Sequence, residues 1–203
     1  RHKVTASRDS DRDLEGSSRD LYSAFSNLVS NAVRYTPIGG TIHINWSSDH
    51  RGGRLRVTDT GYGISPQHLP RLTERFYRVS TSRSRETGGT GLGLSIVKHV
   101  LQLHDAHLEV ESQPGSGSSF TCVFGSERLL APAKQIEDCR DDSVTFESSY
   151  TYKLPVVTDF KCDHATYVRV IYFALRFRTA AASSSSIATV VSQPTQASVM
   201  LWP

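Results

Sequence analysis

Between Asp20 and Phe124 the apolar residues recur with two alternating periods, and each change of period marks an element. Leu21, Phe25, Leu28 and Ala32 share one helical face, which predicts a helix over Asp20 to Tyr35. Thr36-Pro37 and Gly39-Gly40 stop it. From Thr41 to Ser47 the period becomes two, with Ile42, Ile44 and Trp46 alternating against polar residues as in a half-buried strand. A turn over Asp49 to Gly53 leads to a second such strand, Arg54 to Thr58, with Leu55 and Val57 inward. Ser65-Pro66 reads as a helix opening, a capping side chain followed by proline at the first helical position. The Arg- and Gly-rich stretch from Tyr77 to Thr90 is expected to be a mobile loop. A second long helix is predicted from about Leu92 to His104, with His99 and His104 on a solvated face. Leu108 and Val110 then mark a strand, Gln113 to Ser118 a turn, and Phe120, Cys122 and Phe124 a last strand. The order predicts an α/β two-layer sandwich, with helices covering one face of a mixed sheet.

The pattern ends near Ser126, which divides the chain into a domain over residues 1–126 and an extension over 127–203. Ala, Ser, Thr and Val dominate Ala180 to Ser198, and neither period persists there, so most of the extension is expected to be disordered. Composition narrows the class further. With 21% charged and 37% apolar residues the chain is an ordinary globular one. A net charge of +3 with scattered arginines gives no argument for nucleic acid. The most apolar run, Tyr167 to Phe177, is interrupted by Arg169 and Arg176 and falls short of the ~18 residues of a membrane span. Arg1 opens no signal peptide and the one methionine is Met200, so the chain reads as a piece lacking an upstream portion. Cys122, Cys139 and Cys162 have neither zinc nor disulfide spacing and fit a reducing compartment.

Three polar constellations interrupt the apolar pattern. Asn27 and Asn31 lie four apart on the first helix, on one face with Ser23 and Arg34. A solvated face is the plain explanation, yet each mid-helix Asn costs about half a kcal/mol against Ala. A carboxamide oxygen is also a suitable hard ligand for Mg²⁺, which keeps waters and borrows phosphate oxygens. Asp59-Thr60-Gly61-Tyr62-Gly63 follows a strand directly. It is either an inconsequential turn or a carboxylate placed to accept from an exocyclic amine, with glycines that let backbone pass close to a flat ligand. Gly88-Gly89-Thr90-Gly91-Leu92-Gly93-Leu94 runs into a helix and can form an anion-binding nest of backbone N–H groups. It lacks the Lys-Ser/Thr ending of a P-loop, and it lacks the preceding strand and following acidic residue of a dinucleotide fingerprint.

In this order the three constellations resemble the N, G1 and G2 boxes of the GHKL ATPases, the family of histidine kinases, gyrase-type topoisomerases and Hsp90, with their Bergerat-type ATP-binding fold. Glu74-Arg75-Phe76-Tyr77-Arg78 is similar to the F box of histidine kinases, and Gly115-Ser116-Gly117-Ser118-Ser119-Phe120 to their last glycine motif. The wording of Leu72 to Val79, Gly91 to His99 and Ser26 to Val33 resembles most the sensor kinases of the phosphate regulon. The resemblance covers about Leu14 to Phe124. It implies ATP and Mg²⁺ as cofactors, with Asn27 as metal ligand and catalytic residue. Asn31 and Arg34 would reach the phosphates, and Tyr35 would lie against the adenine. Asp59 would accept from the adenine amine in a pocket shaped by Gly61, Gly63 and Ile64. Arg78, with Arg83 or Arg85, would approach the γ-phosphate, and Gly89, Thr90, Gly91, Leu92 and Gly93 would offer backbone donors. The reaction implied is transfer of the ATP γ-phosphoryl to a His on a separate dimerisation and phosphoacceptor domain, in phosphate-starvation signalling. The implied partners are that domain and a PhoB-like response regulator, with no nucleic acid and no membrane contact by this piece, which would be the cytoplasmic part of an inner-membrane sensor.

Two departures temper this. None of the eight histidines is followed by the acidic residue and proline of a phosphoacceptor box. Ser23 stands where some relatives place a Glu or His able to act as base, which counts against an ATP-hydrolysing machine of the gyrase or Hsp90 kind. The remaining alternative is a nucleotide-binding module without kinase activity.

Overall fold

The computed structural model describes residues 2–79, 90–131 and 177–178. Residues 80–89 of the loop expected over Tyr77 to Thr90, and most of the extension, lie outside the described residues.

Two strands open the chain, β1 (Lys3–Arg8) and β2 (Asp13–Glu15). Helix α1 (Ser18–Tyr35) starts two residues earlier than its apolar pattern suggests. The reason is Ser17, whose side chain accepts from the Asp20 N–H and satisfies one of the orphan donors of the first turn. Leu21, Ala24, Phe25, Leu28, Val29 and Ala32 are buried, the spacing of one continuous helical stripe. Strands β3 (Thr41–Asp49) and β4 (Gly52–Asp59) form a hairpin. Beyond Ser65 the expected helix is only a 3₁₀ segment, Pro66–Arg71, and the Ser65 side chain makes no capping bond. Pro70 lies inside it and has no N–H to extend the ladder. Helix α2 spans Gly93–Leu103, followed by β5 (His107–Gln113) and β6 (Gly117–Gly125).

The main sheet has the order β1-β3-β4-β6-β5, with β1 parallel to β3 and the other pairs antiparallel. It is the mixed sheet expected, widened by β1, whose only inward apolar side chains, Val4 and Ala6, give too weak a pattern to read. Register aligns the inward side chains in rows. One row is Trp46, Leu55, Cys122 and Leu108; the next is Ala6, Ile44, Val57, Phe120 and Val110. The third is Val4, Ile42, Asp59, Ser118 and Ser112, in which the floor turns polar. Phe25 meets Phe124 edge-on at 6.3 Å, and Trp46 meets Phe124 at the same distance. Among the described residues β1 and β5 are the edges, and β5 exposes His107, Glu109, Glu111 and Gln113.

A small second sheet closes one side. There β2 pairs antiparallel with β7 (Leu129–Leu130) and parallel with β8 (Phe177–Arg178). Leu14 is fully buried, Trp46 Nε1 donates to the Arg12 carbonyl, and buried Asp13 is paired with Arg8 at 3.0 Å. No described helix is long and apolar enough to cross a membrane.

The core predicts a sharp contrast between two apolar positions. Phe25→Ala, at a fully buried ring, should lower the unfolding free energy by about 3–5 kcal/mol. Ile38→Ala, at a residue 87% exposed, should change it by less than ~0.5 kcal/mol. Urea denaturation of both variants measures the difference, and equal effects would contradict this core.

Candidate functional site

Helix α1 carries Asn27, Asn31 and Arg34 at successive heights. Near its middle, Asn27 is half-buried and its Nδ2 donates to the Ser23 carbonyl at 2.8 Å. A carbonyl only accepts, so this bond fixes the amide orientation and leaves Oδ1 facing away. A Cβ on Gly93 would stand 2.8 Å from that Oδ1, so the start of α2 is packed directly against the carboxamide. Asn31 and Arg34 follow on the same helix, both half-buried.

Eight residues beyond Asn27, about 12 Å along the axis, α1 ends at Tyr35 against the turn after β4. The Tyr62 N–H donates to the Tyr35 carbonyl, and a Cβ on Gly61 would come within 2.4 Å of the same oxygen. Gly61 is therefore required by close approach rather than by its dihedral angle. Asp59 is buried, and its Oδ1 accepts from the Gly61 N–H at 2.8 Å. Burial raises the Asp59 carboxyl above its ordinary value, against the lowering effect of hydrogen bonds from the Gly61 and Ser118 backbone. Gly63 has φ +68°, and a Cβ there would collide with the Gln113 carbonyl at 1.9 Å. Ile64 is packed against the core, with its N–H donating to Ser112 Oγ, which also contacts Ser118 Oγ at 2.9 Å.

The glycine run before α2 is described from Thr90 onward; Thr90 is exposed, and Gly91, Leu92 and Gly93 are half-buried. Gly91 has φ +72° and accepts at its carbonyl from the Phe76 N–H at 2.9 Å. Phe76 itself sits at φ 64°, a left-handed conformation uncommon for a side chain of that size, with its ring 70% exposed. This contact joins the two ends between which the Arg-rich loop departs. Upstream of it, Tyr77 Oη bonds to His68 Nδ1 at 2.7 Å and the Arg71 guanidinium stacks 4.4 Å above the Tyr77 ring. Arg78 is half-buried immediately after; Gly89, Arg83 and Arg85 lie outside the described residues.

Asp59, Gly61 and Tyr35 thus form one group and Asn27 with Gly93 another, both along α1. The sequence reading missed Ser112 and Ser118, which fix the turn below Asp59. Their signal was present in the alternation that puts Ser118 two residues before buried Phe120. It also placed His104 on a solvated face, whereas His104 is buried; Val97, Val100 and Leu101 are buried, and His104 continues their stripe. His99 is exposed as expected.

Residues 16–128, more than half of the chain, match the family model described as histidine kinase-, DNA gyrase B- and HSP90-like ATPase. The chain belongs to this ATPase family. Among its relatives, the phosphate regulon sensor protein PhoR of Pseudomonas aeruginosa is 61% identical over 116 residues, which is 57% of this chain and 26% of that protein. A mycobacterial sensor histidine kinase, MprB, has a solved structure with 30% identity and a TM-score of 0.53, covering 61% of this chain and 81% of that one. Full-length ShkA, solved in complex with AMPPNP, aligns with 26% identity and a TM-score of 0.52 over 62% of this chain and 26% of its own. The chain spans about a quarter of the length of the curated relatives it matches. The two-layer sandwich and the mixed sheet expected from the residues are those of this ATP-binding family.

The raised Asp59 carboxyl gives a pH prediction. The folded domain holds this proton more tightly than the unfolded chain does, so the group's contribution to stability is greatest in acid. It falls as pH rises from the ordinary carboxylate value through the folded one. Asp59→Asn removes that loss. Without nucleotide the variant should melt above the parent at neutral pH, with the gap closing below about pH 4. Melting curves across pH test this, and a variant that melts lower at neutral pH would contradict it.

Proposed function

We propose that this chain is the catalytic domain of a two-component sensor histidine kinase, which donates the γ-phosphoryl of ATP to a His on a separate dimerisation and phosphoacceptor domain. The observation that carries the reading is the pairing of a buried, desolvated carboxylate at the end of β4 with a glycine helix start packed on an Asn carboxamide. One group suits a purine amine and the other suits phosphates, and a single helix spans both. Family membership and the 61% identity to PhoR support it, and the same likeness favours phosphate-starvation signalling with a PhoB-like response regulator. On this reading the domain is residues 1–126, residues 127–203 are an appendage, and the piece works in the cytoplasm below an inner-membrane sensor.

Asp59 accepts from the adenine amine, and Gly61, Gly63 and Ile64 shape the pocket in which Tyr35 lies along the ring. Asn31 and Arg34 reach the phosphates from α1. Gly89, Thr90, Gly91, Leu92 and Gly93 bring backbone donors and the positive end of α2 to them. Arg78 neutralises charge at the γ-phosphate. Phosphoryl transfer asks chiefly for positioning and charge neutralisation, which this arrangement supplies without a base at Ser23. Asn27 is a suitable ligand for Mg²⁺, since its amide nitrogen is spent on Ser23 and its oxygen is left to coordinate. When bound, the ion would add neutralisation across the phosphate oxygens.

Titration calorimetry with MgATP should give micromolar-range binding for the full chain and, equally, for one ending at residue 131. Asp59→Asn turns an acceptor into a donor facing the adenine amine. Loss of a charge-assisted bond of about 1.5–3 kcal/mol weakens binding about 10- to 100-fold. Unchanged affinity would remove Asp59 from the adenine site. Mixed with a separately made phosphoacceptor domain of a PhoR-type kinase and labelled ATP, the chain should label that domain on His. Binding without transfer would favour a nucleotide-binding module without kinase activity.

A further inference from the structure

His104 closes α2, is buried, and takes no part in the site described above. Both ring nitrogens are committed: Nε2 lies 3.0 Å from the Ser17 backbone nitrogen and Nδ1 lies 2.8 Å from the Val100 carbonyl oxygen. A backbone N–H only donates and a carbonyl only accepts, so Nε2 is the acceptor and the ring proton sits on Nδ1. Gly16 makes room for the ring, since a Cβ there would stand 2.6 Å from Cδ2 and 2.8 Å from Nε2.

The other end of the same helix pair is also closely packed. There Gly93 of α2 packs on the Asn27 carboxamide of α1, again where a Cβ would be too close. Ser17 to Asn27 spans about 15 Å on α1, and Gly93 to His104 about 16 Å on α2, at 1.5 Å per residue. The helices therefore run antiparallel with matched lengths and a close contact at each end, each made against a glycine. Between those contacts lie Val97, Val100 and Leu101. Apolar packing of this kind is non-directional and fixes the axial position of α2 only loosely. A hydrogen bond of fixed length fixes it closely.

We propose that His104 is a positioning residue of the nucleotide site, pinning the end of α2 to the start of α1 and so setting where α2's first peptide groups stand beside Asn27. The inference deepens the ATP reading above and rests on it. Removing the Nε2 acceptor frees α2 to shift along α1 and carries the phosphate-facing donors out of register. The fold itself is kept by the apolar stripe.

The test compares His104→Leu, which keeps bulk and loses the acceptor, with His104→Gln, whose amide oxygen reaches the place of Nε2. MgATP affinity is titrated at a temperature where circular dichroism shows each protein folded. His104→Leu should bind at least about 10-fold more weakly, and His104→Gln within about threefold of the parent. A His104→Leu protein that binds as the parent does, however far its melting temperature falls, would overturn the inference alone. If the parent itself fails to bind ATP, both the inference and the reading beneath it fall. Should His104→Leu not fold, long-range ¹H–¹⁵N spectra of the unaltered protein decide: a bare Nε2 and a protonated Nδ1 are expected, and a proton on Nε2 overturns the inference.

Discussion

β4 is paired residue for residue with β3 on one side and β6 on the other, and the alternation of side chains along it makes that register binding on everything above the sheet. Because Leu55 and Val57 face the helices, Asp59 must face them too. A slip of one residue would send all three to the opposite face and bring Arg54, Arg56 and Thr58 under α1. The hydrophobic requirement of the first two rows therefore forces a carboxylate into the third. Burial of that carboxylate is costly, and the backbone amides of Gly61 and Ser118 offset only part of the cost. The site is thus a local departure from good packing held in place by good packing next to it.

The helix layer meets the same constraint from above. The buried stripe of α1 fixes its rotation through Leu21, Phe25 and Leu28, and this turns Asn27 to the border of the stripe, half in contact with α2. Close contact at that border needs residues without side chains, and Gly93 and Gly61 stand at two places where α1 is closely approached. Neither has a positive φ. Gly63 and Gly91, by contrast, combine crowding with left-handed backbone, so no other residue suits either demand there.

Much of this was legible in the residues because strong periods leave few alternatives. Ile42, Ile44 and Trp46, or Leu21, Phe25 and Leu28, allow one element type and one inward face. The boundaries were less legible: Ser17 caps α1 through a bond to Asp20 that precedes the first apolar residue of the stripe. β1 was missed because Val4 and Ala6 are a weak alternation, rescued only by pairing with β3. Ser65-Pro66 had the composition of a helix start, but Pro70 cut the helix to a 3₁₀ segment. His104 was misjudged by residue type, although its spacing from Val97 and Val100 placed it inward. The motifs single out Asp59, Gly61 and Gly93, and the structure brings Gly61 and Gly93 against α1; Ser112 and Ser118 belong to no motif, and only their alternation with Val110 and Phe120 turns them inward.

Among the described residues β5 is an edge of the main sheet, and that bears on how many copies of this domain can share a solution. An edge strand offers free backbone groups to any neighbour able to pair with it. Strand β5 is centred on Val110, so a second copy pairing antiparallel and in symmetric register would set Glu109 of each chain opposite Glu111 of the other. Like charges directly across a ladder oppose association. Two carboxylates thus make the edge a poor template for its own duplicate, and at high concentration they discourage the domain from stacking into extended sheet.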